Sequence, residues 1–281
     1  MGRVKTGFGR FIEKPGVDLL EGVIERAEAA SRLIRPVPVM NAPSKGHAVV
    51  LGCGRMGSRV AFDLARCNVS LTLVDRDVVE PHNLAAGNSL FRERDLGKPK
   101  SAALKDILGE YAPKVHVDEL QADVTLMSQE ELRARAEGAG LALGLLDEGE
   151  GLFRINDTLY RHLPVVYAAG HHGARTGDVS VSRPGGACFR CILNISSSAE
   201  IQTLAGEKTH GVDIAAIADA CTRVALVLLG DPELGDVREV LDPAVNFIFL
   251  ENRRSPTSPR GFAPQFLRIE RRRTCTVCGV F

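Results

Sequence analysis

The sequence lacks net charge. Its 35 lysines and arginines are matched by 35 aspartates and glutamates. Nucleic-acid binders usually carry a basic excess, so no nucleic-acid partner is expected. The chain also lacks a long apolar run. A membrane span needs roughly 20 apolar residues, and the longest candidate, 214–229, is interrupted by Asp219, Thr222 and Arg223. No membrane partner is expected either. Residues 1–14 are polar, with Arg3, Lys5 and Arg10, and have no apolar stretch of the kind that marks a secretory signal. A cytoplasmic location follows as the expectation, where thiols stay reduced and cysteine pairs bind metal or do chemistry. Internal repeats and low-complexity tracts are missing too. The run Arg271, Arg272, Arg273 reads as a solvated strand end.

What remains is an ordinary globular composition, 44% hydrophobic over 281 residues, with length enough for a real core. Apolar positions at helical spacing (Leu20, Val23, Ile24, Ala27, Ala30, Leu33, Ile34) predict an amphipathic helix over 17–35. Pro36 and Pro38 end it, and a linker runs to Gly46. Strands are then expected at 48–51, 69–74, 115–120, 141–146 and 165–169, with helices at 58–67, 99–111, 129–137 and 152–162 between them. That alternation means βαβ units and a mostly parallel sheet covered on both faces. Past Gly170 the pattern changes to short strands at 178–182, 244–250 and 266–270 around a long apolar helix at 212–229. The expected architecture is α/β, Rossmann-like, with an appended C-terminal antiparallel sheet region. Its division is 1–45, helix and linker, and 46–281, one domain.

The first strand runs into Gly52-Cys53-Gly54-Arg55-Met56-Gly57. Glycines at 52, 54 and 57 permit a tight turn and close approach of backbone to a phosphate, and the following helix start supplies N–H groups. The second strand ends at Asp75, about 20 residues on, where a carboxylate can accept from a ribose hydroxyl. This predicts an adenosine-containing ligand and leaves NAD and ATP undistinguished.

Seven cysteines are present. Four form two C-x-x-C pairs, Cys188 with Cys191 and Cys275 with Cys278. Each pair offers two thiolates from one turn, and two turns close a tetrahedron of sulfurs, the geometry of structural Zn²⁺. Cys53, Cys67 and Cys221 read as packing residues.

The segment after the acid narrows the choice. It reads Asp75-Arg76-Asp77-Val78-Val79-Glu80-Pro81-His82-Asn83-Leu84, then Leu90-Phe91, then Asp95-Leu96-Gly97-Lys98-Pro99-Lys100. In order and spacing this resembles the ubiquitin-activating-enzyme superfamily, in its ThiF/MoeB/HesA branch. The family pattern is D-x-D-x-V-E-x-S-N-L, then L-F, then D-V-G-K-P-K. The resemblance implies ATP as substrate and Mg²⁺ as its partner. Asp75 would hold the ribose, Asp77 would lie close to the adenylate chemistry, and Asn83 and Lys100 would contact phosphates. Asp147 would match the aspartate of the family's T-D-N and hold Mg²⁺. Read singly, Lys100 is equally a solvated helix start and Asp147 a helix N-cap. The four paired cysteines match the branch's zinc ligands.

The same resemblance implies adenylation of a carboxylate, the C-terminus of a ubiquitin-like sulfur carrier or of a peptide, by a homodimer. It leaves no room for an attached rhodanese or ubiquitin-like domain. Departures are specific. The family's N-L-x-R-Q is here Leu84-Ala85-Ala86-Gly87-Asn88, without its arginine. The arginine that the family donates across its dimer has only Arg10 and Lys14 as counterparts. The stretch Glu207-Lys208-Thr209-His210-Gly211-Val212 lacks the cysteine that forms a thioester in some members, so no thioester is expected there. His171, His172 and His210 are loop histidines that can face the site. Two other readings stay open: an NAD-dependent oxidoreductase on the same turn, and a catalytically impaired scaffold.

Overall fold

The computed structural model describes residues 46–84, 90–195, 211–230, 245–253 and 263–279. The expected N-terminal helix, its linker before Gly46, Arg10, Lys14, the departure at 85–88 and the stretch 207–210 lie outside the described residues. All described residues belong to one compact unit, Pro43–Phe281.

In chain order the strands are β1 His47–Leu51, β2 Ser70–Asp75, β3 Val117–Gln121, β4 Leu141–Gly144, β5 Val165–His171, β6 Thr176–Ser182, β7 Phe247–Glu251 and β8 Ala263–Leu267. The helices are α1 Arg55–Arg66, α2 Lys100–Tyr111, α3 Gln129–Arg135, α4 Gly149–Leu159, α5 Phe189–Ile192 and α6 Gly211–Leu228. The strands form a single sheet in the order β3-β2-β1-β4-β5-β6-β7-β8. Pairing is parallel from β3 to β5 and antiparallel from β5 to β8. The α/β expectation holds, with one refinement. The antiparallel strands are not a separate appendage, because β6 pairs directly with β5 and continues the same sheet.

Both faces are covered, as a parallel sheet with near-continuous apolar strands requires. One face buries Val50, Leu71 and Leu143 with Val60 and Leu64 of α1, Leu104 of α2 and Ile217 of α6. The other buries Val49, Leu51 and Val165 with Leu132 of α3 and Ile155 and Leu159 of α4. Each strand thus feeds alternate residues to the two cores.

Element limits moved where backbone pairing overrode local pattern. The strand expected to reach 146 stops at Gly144, and α4 begins at Gly149 rather than 152. β5 extends to His171 because β6 folds back on it, and His171 pairs with Thr176. Their turn passes through left-handed His172, Gly173 and Ala174. The last strand lies at Ala263–Leu267 and not at 266–270, held by pairing with β7. It contains Pro264, which an edge strand tolerates. No helix among the described residues is long and apolar enough to cross a membrane.

The topology fixes one crevice. From β1 the chain winds outward to β2 and β3, then returns to β4 on the other side of β1. At such a reversal the connections leave in opposite directions and open a cleft beyond the carboxyl ends of the strands. Two glycines shape its floor. Gly52 has φ +104 and lies against the Leu145 carbonyl; Gly57 lies where a Cβ would collide with the Gly52 carbonyl oxygen. Gly57→Ala should therefore cost roughly 1–3 kcal/mol or more through overpacking. Denaturant unfolding of the variant measures it, and an unchanged midpoint would contradict this packing.

Candidate functional site

The phosphate-type turn forms as its residues require. The Gly52 N–H donates to the Val74 carbonyl at 2.8 Å, tying the end of β1 to the end of β2. α1 then starts at Arg55 with Gly54 as its N-cap residue and no side-chain cap. A Cβ on Gly54 would meet nothing within 4 Å, so the turn is open there. The helix start, with its N–H groups and positive partial charge, faces the crevice.

Asp75 ends β2 and is 7% exposed. Its carboxylate accepts the Cys53 N–H at 2.5 Å and the Asp77 N–H at 2.8 Å. These bonds join the glycine turn to the acidic segment. Burial pushes the Asp75 carboxyl above its ordinary 3.8, against the pull of those two N–H groups. Each carboxylate oxygen can accept more than one bond, so these two N–H groups do not exhaust the group.

The segments Asp77–Val79 and Gly97–Lys100 meet through backbone bonds. Val79 N–H donates to Lys98 O at 2.8 Å, Gly97 N–H to Val79 O at 2.9 Å, and Lys100 N–H to Asp77 O at 2.9 Å. That pairing delivers the Lys100 ammonium to Asp77 Oδ2 at 2.7 Å, with the lysine side chain 10% exposed and the aspartate 51%. Lys100 is thus not a solvated helix start. Asp95, which the sequence reading left without a role, holds the segment in shape. Its side chain is 1% exposed, accepts from Arg92 Nε at 3.1 Å and lies 3.5 Å from Lys98 Nζ. Phe91 is buried beside the same core.

Asn83 Oδ1 accepts the Glu80 N–H at 2.9 Å inside a short 3-10 turn, Pro81–Leu84. Its visible role is to close that turn. Asp147 is exposed in the link between β4 and α4. It is not the N-cap, which is Glu148. Because β1, β2 and β4 are parallel, Gly52, Asp75 and Asp147 all lie at or just past the carboxyl ends of their strands, on the same side of the sheet.

Sequence reasoning missed Arg76. Its Nη1 donates to Asp123 Oδ2 at 3.0 Å and Glu148 Oε1 at 3.1 Å, and its Nε lies 3.6 Å from Asp77 Oδ1. The hydrogen bond to Asp123 is the main cause of a raised guanidinium pKa. The only signal available was an arginine in the variable position of D-x-D. His171 is not loop filler: it ends β5 and bonds Asp178 Oδ1 at 2.5 Å across the sheet.

At the far end, the four cysteine sulfurs lie within 4.8 Å of one another and all four residues are buried. Cys188 and Cys275 sulfurs are 3.6 Å apart and Cys191 and Cys278 3.3 Å. Four sulfurs each about 2.3 Å from Zn²⁺ sit about 3.8 Å apart, so the set fits zinc with little adjustment. Burial pushes the Cys188 thiol up. Burial also opposes ionisation of Cys275, but N–H groups of Cys278 and Val277 with the neighbouring thiols outweigh it and lower its pKa. Arg272 corrects the expectation of a merely solvated run. Its backbone N–H reaches Cys191 Sγ at 3.3 Å, and its guanidinium donates to the Ile195 and Arg190 carbonyls at 2.8 and 3.1 Å.

Two outcomes follow. Metal analysis of protein purified without chelators should find about one Zn²⁺ per chain, and Cys278→Ser should lose it and unfold at lower temperature. A metal-free wild type of equal stability contradicts the assignment. For Asp75, the folded pKa lies above the unfolded one. Its contribution to stability is therefore present at pH below the ordinary 3.8 and lost as pH rises through the folded value. A carboxyl ¹³C titration should place its midpoint above 3.8; a midpoint at or below that value refutes the burial argument.

Comparison with known proteins fits this geometry. A stretch of 198 residues, 63% of this chain, is 31% identical to protein y4oA of Sinorhizobium fredii, of which it covers 31%. A stretch of 89 residues, 30% of this chain, is 33% identical to ubiquitin-activating enzyme E1 1 of Triticum aestivum and covers 8% of it. The chain thus spans less than a third of these curated relatives. Among solved structures, E. coli MccB in complex with ATP superposes with a TM-score of 0.65 at 21% identity, over 83% of this chain and 67% of that one. MccB, described as a microcin C7 biosynthetic enzyme, has also been solved with N-formylated MccA. Residues 30–258 match the model of the ThiF family, and the chain belongs to that family.

Proposed function

We propose that this protein uses ATP to adenylate a carboxylate, releasing pyrophosphate. The observation that supports it most is the meeting, at one crevice, of the open glycine turn, the buried Asp75 and the Lys100–Asp77 pair, in a chain of the ThiF family. The acidic and lysine segments from Asp75 to Lys100 follow the family's pattern and favour ATP over NAD.

In this reading residues 46–281 are the adenylating unit. Gly52, Gly54, Gly57 and the start of α1 take the phosphates, and Asp75 takes the ribose. Lys100 leaves Asp77 to meet the triphosphate, with Asn83 alongside. Asp147 would hold Mg²⁺, which neutralises phosphate charge when bound. The acceptor carboxylate oxygen attacks the α-phosphorus. A new O–P bond forms, the bond from the α-phosphorus to the bridging oxygen breaks, and pyrophosphate carries that electron pair away. Catalysis is then positioning plus charge stabilisation by groups already in place. Zn²⁺, held by Cys188, Cys191, Cys275 and Cys278, ties the tail to α5 and takes no part in the step.

For the carboxylate we infer the C-terminus of a peptide or of a ubiquitin-like sulfur carrier. MccB, seen with ATP and with N-formylated MccA, supports a peptide. We further place the protein in the cytoplasm as a homodimer.

The test is ATP–pyrophosphate exchange with purified protein and a panel of peptides and carrier proteins ending in a free carboxylate. Wild type should exchange with at least one. Lys100→Ala should lower the rate about 10²–10³-fold, and Asp147→Ala should abolish it with the fold intact. No ATP binding and no exchange with any acceptor, or binding of NAD in preference to ATP, would overturn the reading.

A further inference from the structure

We propose that Arg76 is the platform on which the base of the nucleotide stacks, making it a binding residue for the base. This rests on the reading that the crevice binds ATP.

The position follows from the path of a nucleotide. Its phosphates belong at the glycine turn and the start of α1, its ribose at Asp75. The base must then lie beyond Asp75, along the carboxyl edge of the sheet. Arg76 is the next residue. Its guanidinium is bonded to Asp123, two residues past β3, and to Glu148, the N-cap of α4. It therefore spans the connections that wall the crevice on either side of β1 and β2.

The hydrogen bonds also fix the orientation. Guanidinium N–H groups lie in the plane of the group. Donation from Nη1 to two carboxylates, with Nε beside Asp77, ties down the edges and consumes neither face. Yet the side chain remains 46% exposed. A planar, delocalised cation held by its edge on a half-exposed side chain is an arrangement that can stack on an aromatic ring. Its Nη1 is committed to Asp123 and Glu148 and so is not offered to the phosphates. The family's phosphate-binding arginine is missing from 85–88, and Arg76 does not replace it. It strengthens the base end of the nucleotide instead.

The experiment compares two ligands, ATP and ribose 5′-triphosphate, which is ATP without its base. Affinities of both, with Mg²⁺, are measured for wild type, Arg76→Ala and Arg76→Lys, with thermal unfolding as a check on the fold. Arg76→Ala should weaken ATP about tenfold and leave ribose 5′-triphosphate within about twofold. Arg76→Lys keeps the charge among the carboxylates but loses the plane, so it should fall on the same side as alanine; it also decides the matter if the alanine variant does not fold. Equal loss for both ligands would make Arg76 a phosphate cation and overturn the proposal. No loss for either would reduce it to a clamp between strand ends. A wild type that binds ATP but performs no exchange contradicts the proposed function alone. A wild type that binds no ATP overturns both.

Discussion

The Gly52 carbonyl oxygen occupies the space where residue 57 would carry a side chain. Everything at the crevice depends on that contact. It lets α1 begin within touching distance of the end of β1, so that backbone N–H groups and not side chains face the opening. The left-handed turn at Gly52 brings Cys53 round to donate its N–H to Asp75. That bond in turn fixes where β2 ends and where the acidic segment starts. Any side chain at 57 must either push α1 outward or twist the turn, and both displace Asp75.

A second device brings charge to that frame. The acidic segment and the Lys98–Lys100 segment bond backbone to backbone, anchored by the buried Asp95. Lys100 is left with little freedom and a carboxylate for company. Asp75, Asp77, Arg76, Asp123, Glu148 and Lys100 crowd one edge, with carboxylates in excess. A bare triphosphate would be repelled there, whereas one arriving with a divalent cation would not. The zinc-type cluster at the other end stays structurally apart, gathering α5 and the tail with Arg272 as a brace.

The parallel half of the sheet was legible in the sequence because its signals are local. Short apolar runs, glycines at fixed spacing and an acid at a strand end each need only their neighbours. So too were the paired cysteines, since a C-x-x-C places two ligands on one turn. The antiparallel half was less legible. The β5–β6 turn uses His172, Gly173 and Ala174 in left-handed conformations, a pattern without the usual asparagine–glycine signature. β8 owes its limits to pairing with β7 and not to its own composition. In the site, Asp75 and Lys100 could be singled out because of where they stand in a motif. Arg76 and Asp95 could not, because their roles depend on Asp123, Glu148 and Arg92, partners that only folding supplies.

The most direct test of the account is a crystal structure of the protein with a non-hydrolysable ATP analogue and Mg²⁺. The account predicts the phosphates over Gly54 at the start of α1, the ribose on Asp75, and the Lys100 ammonium drawn from Asp77 onto the triphosphate. A nucleotide bound elsewhere, or one bound at the turn with Lys100 still paired to Asp77, would contradict it.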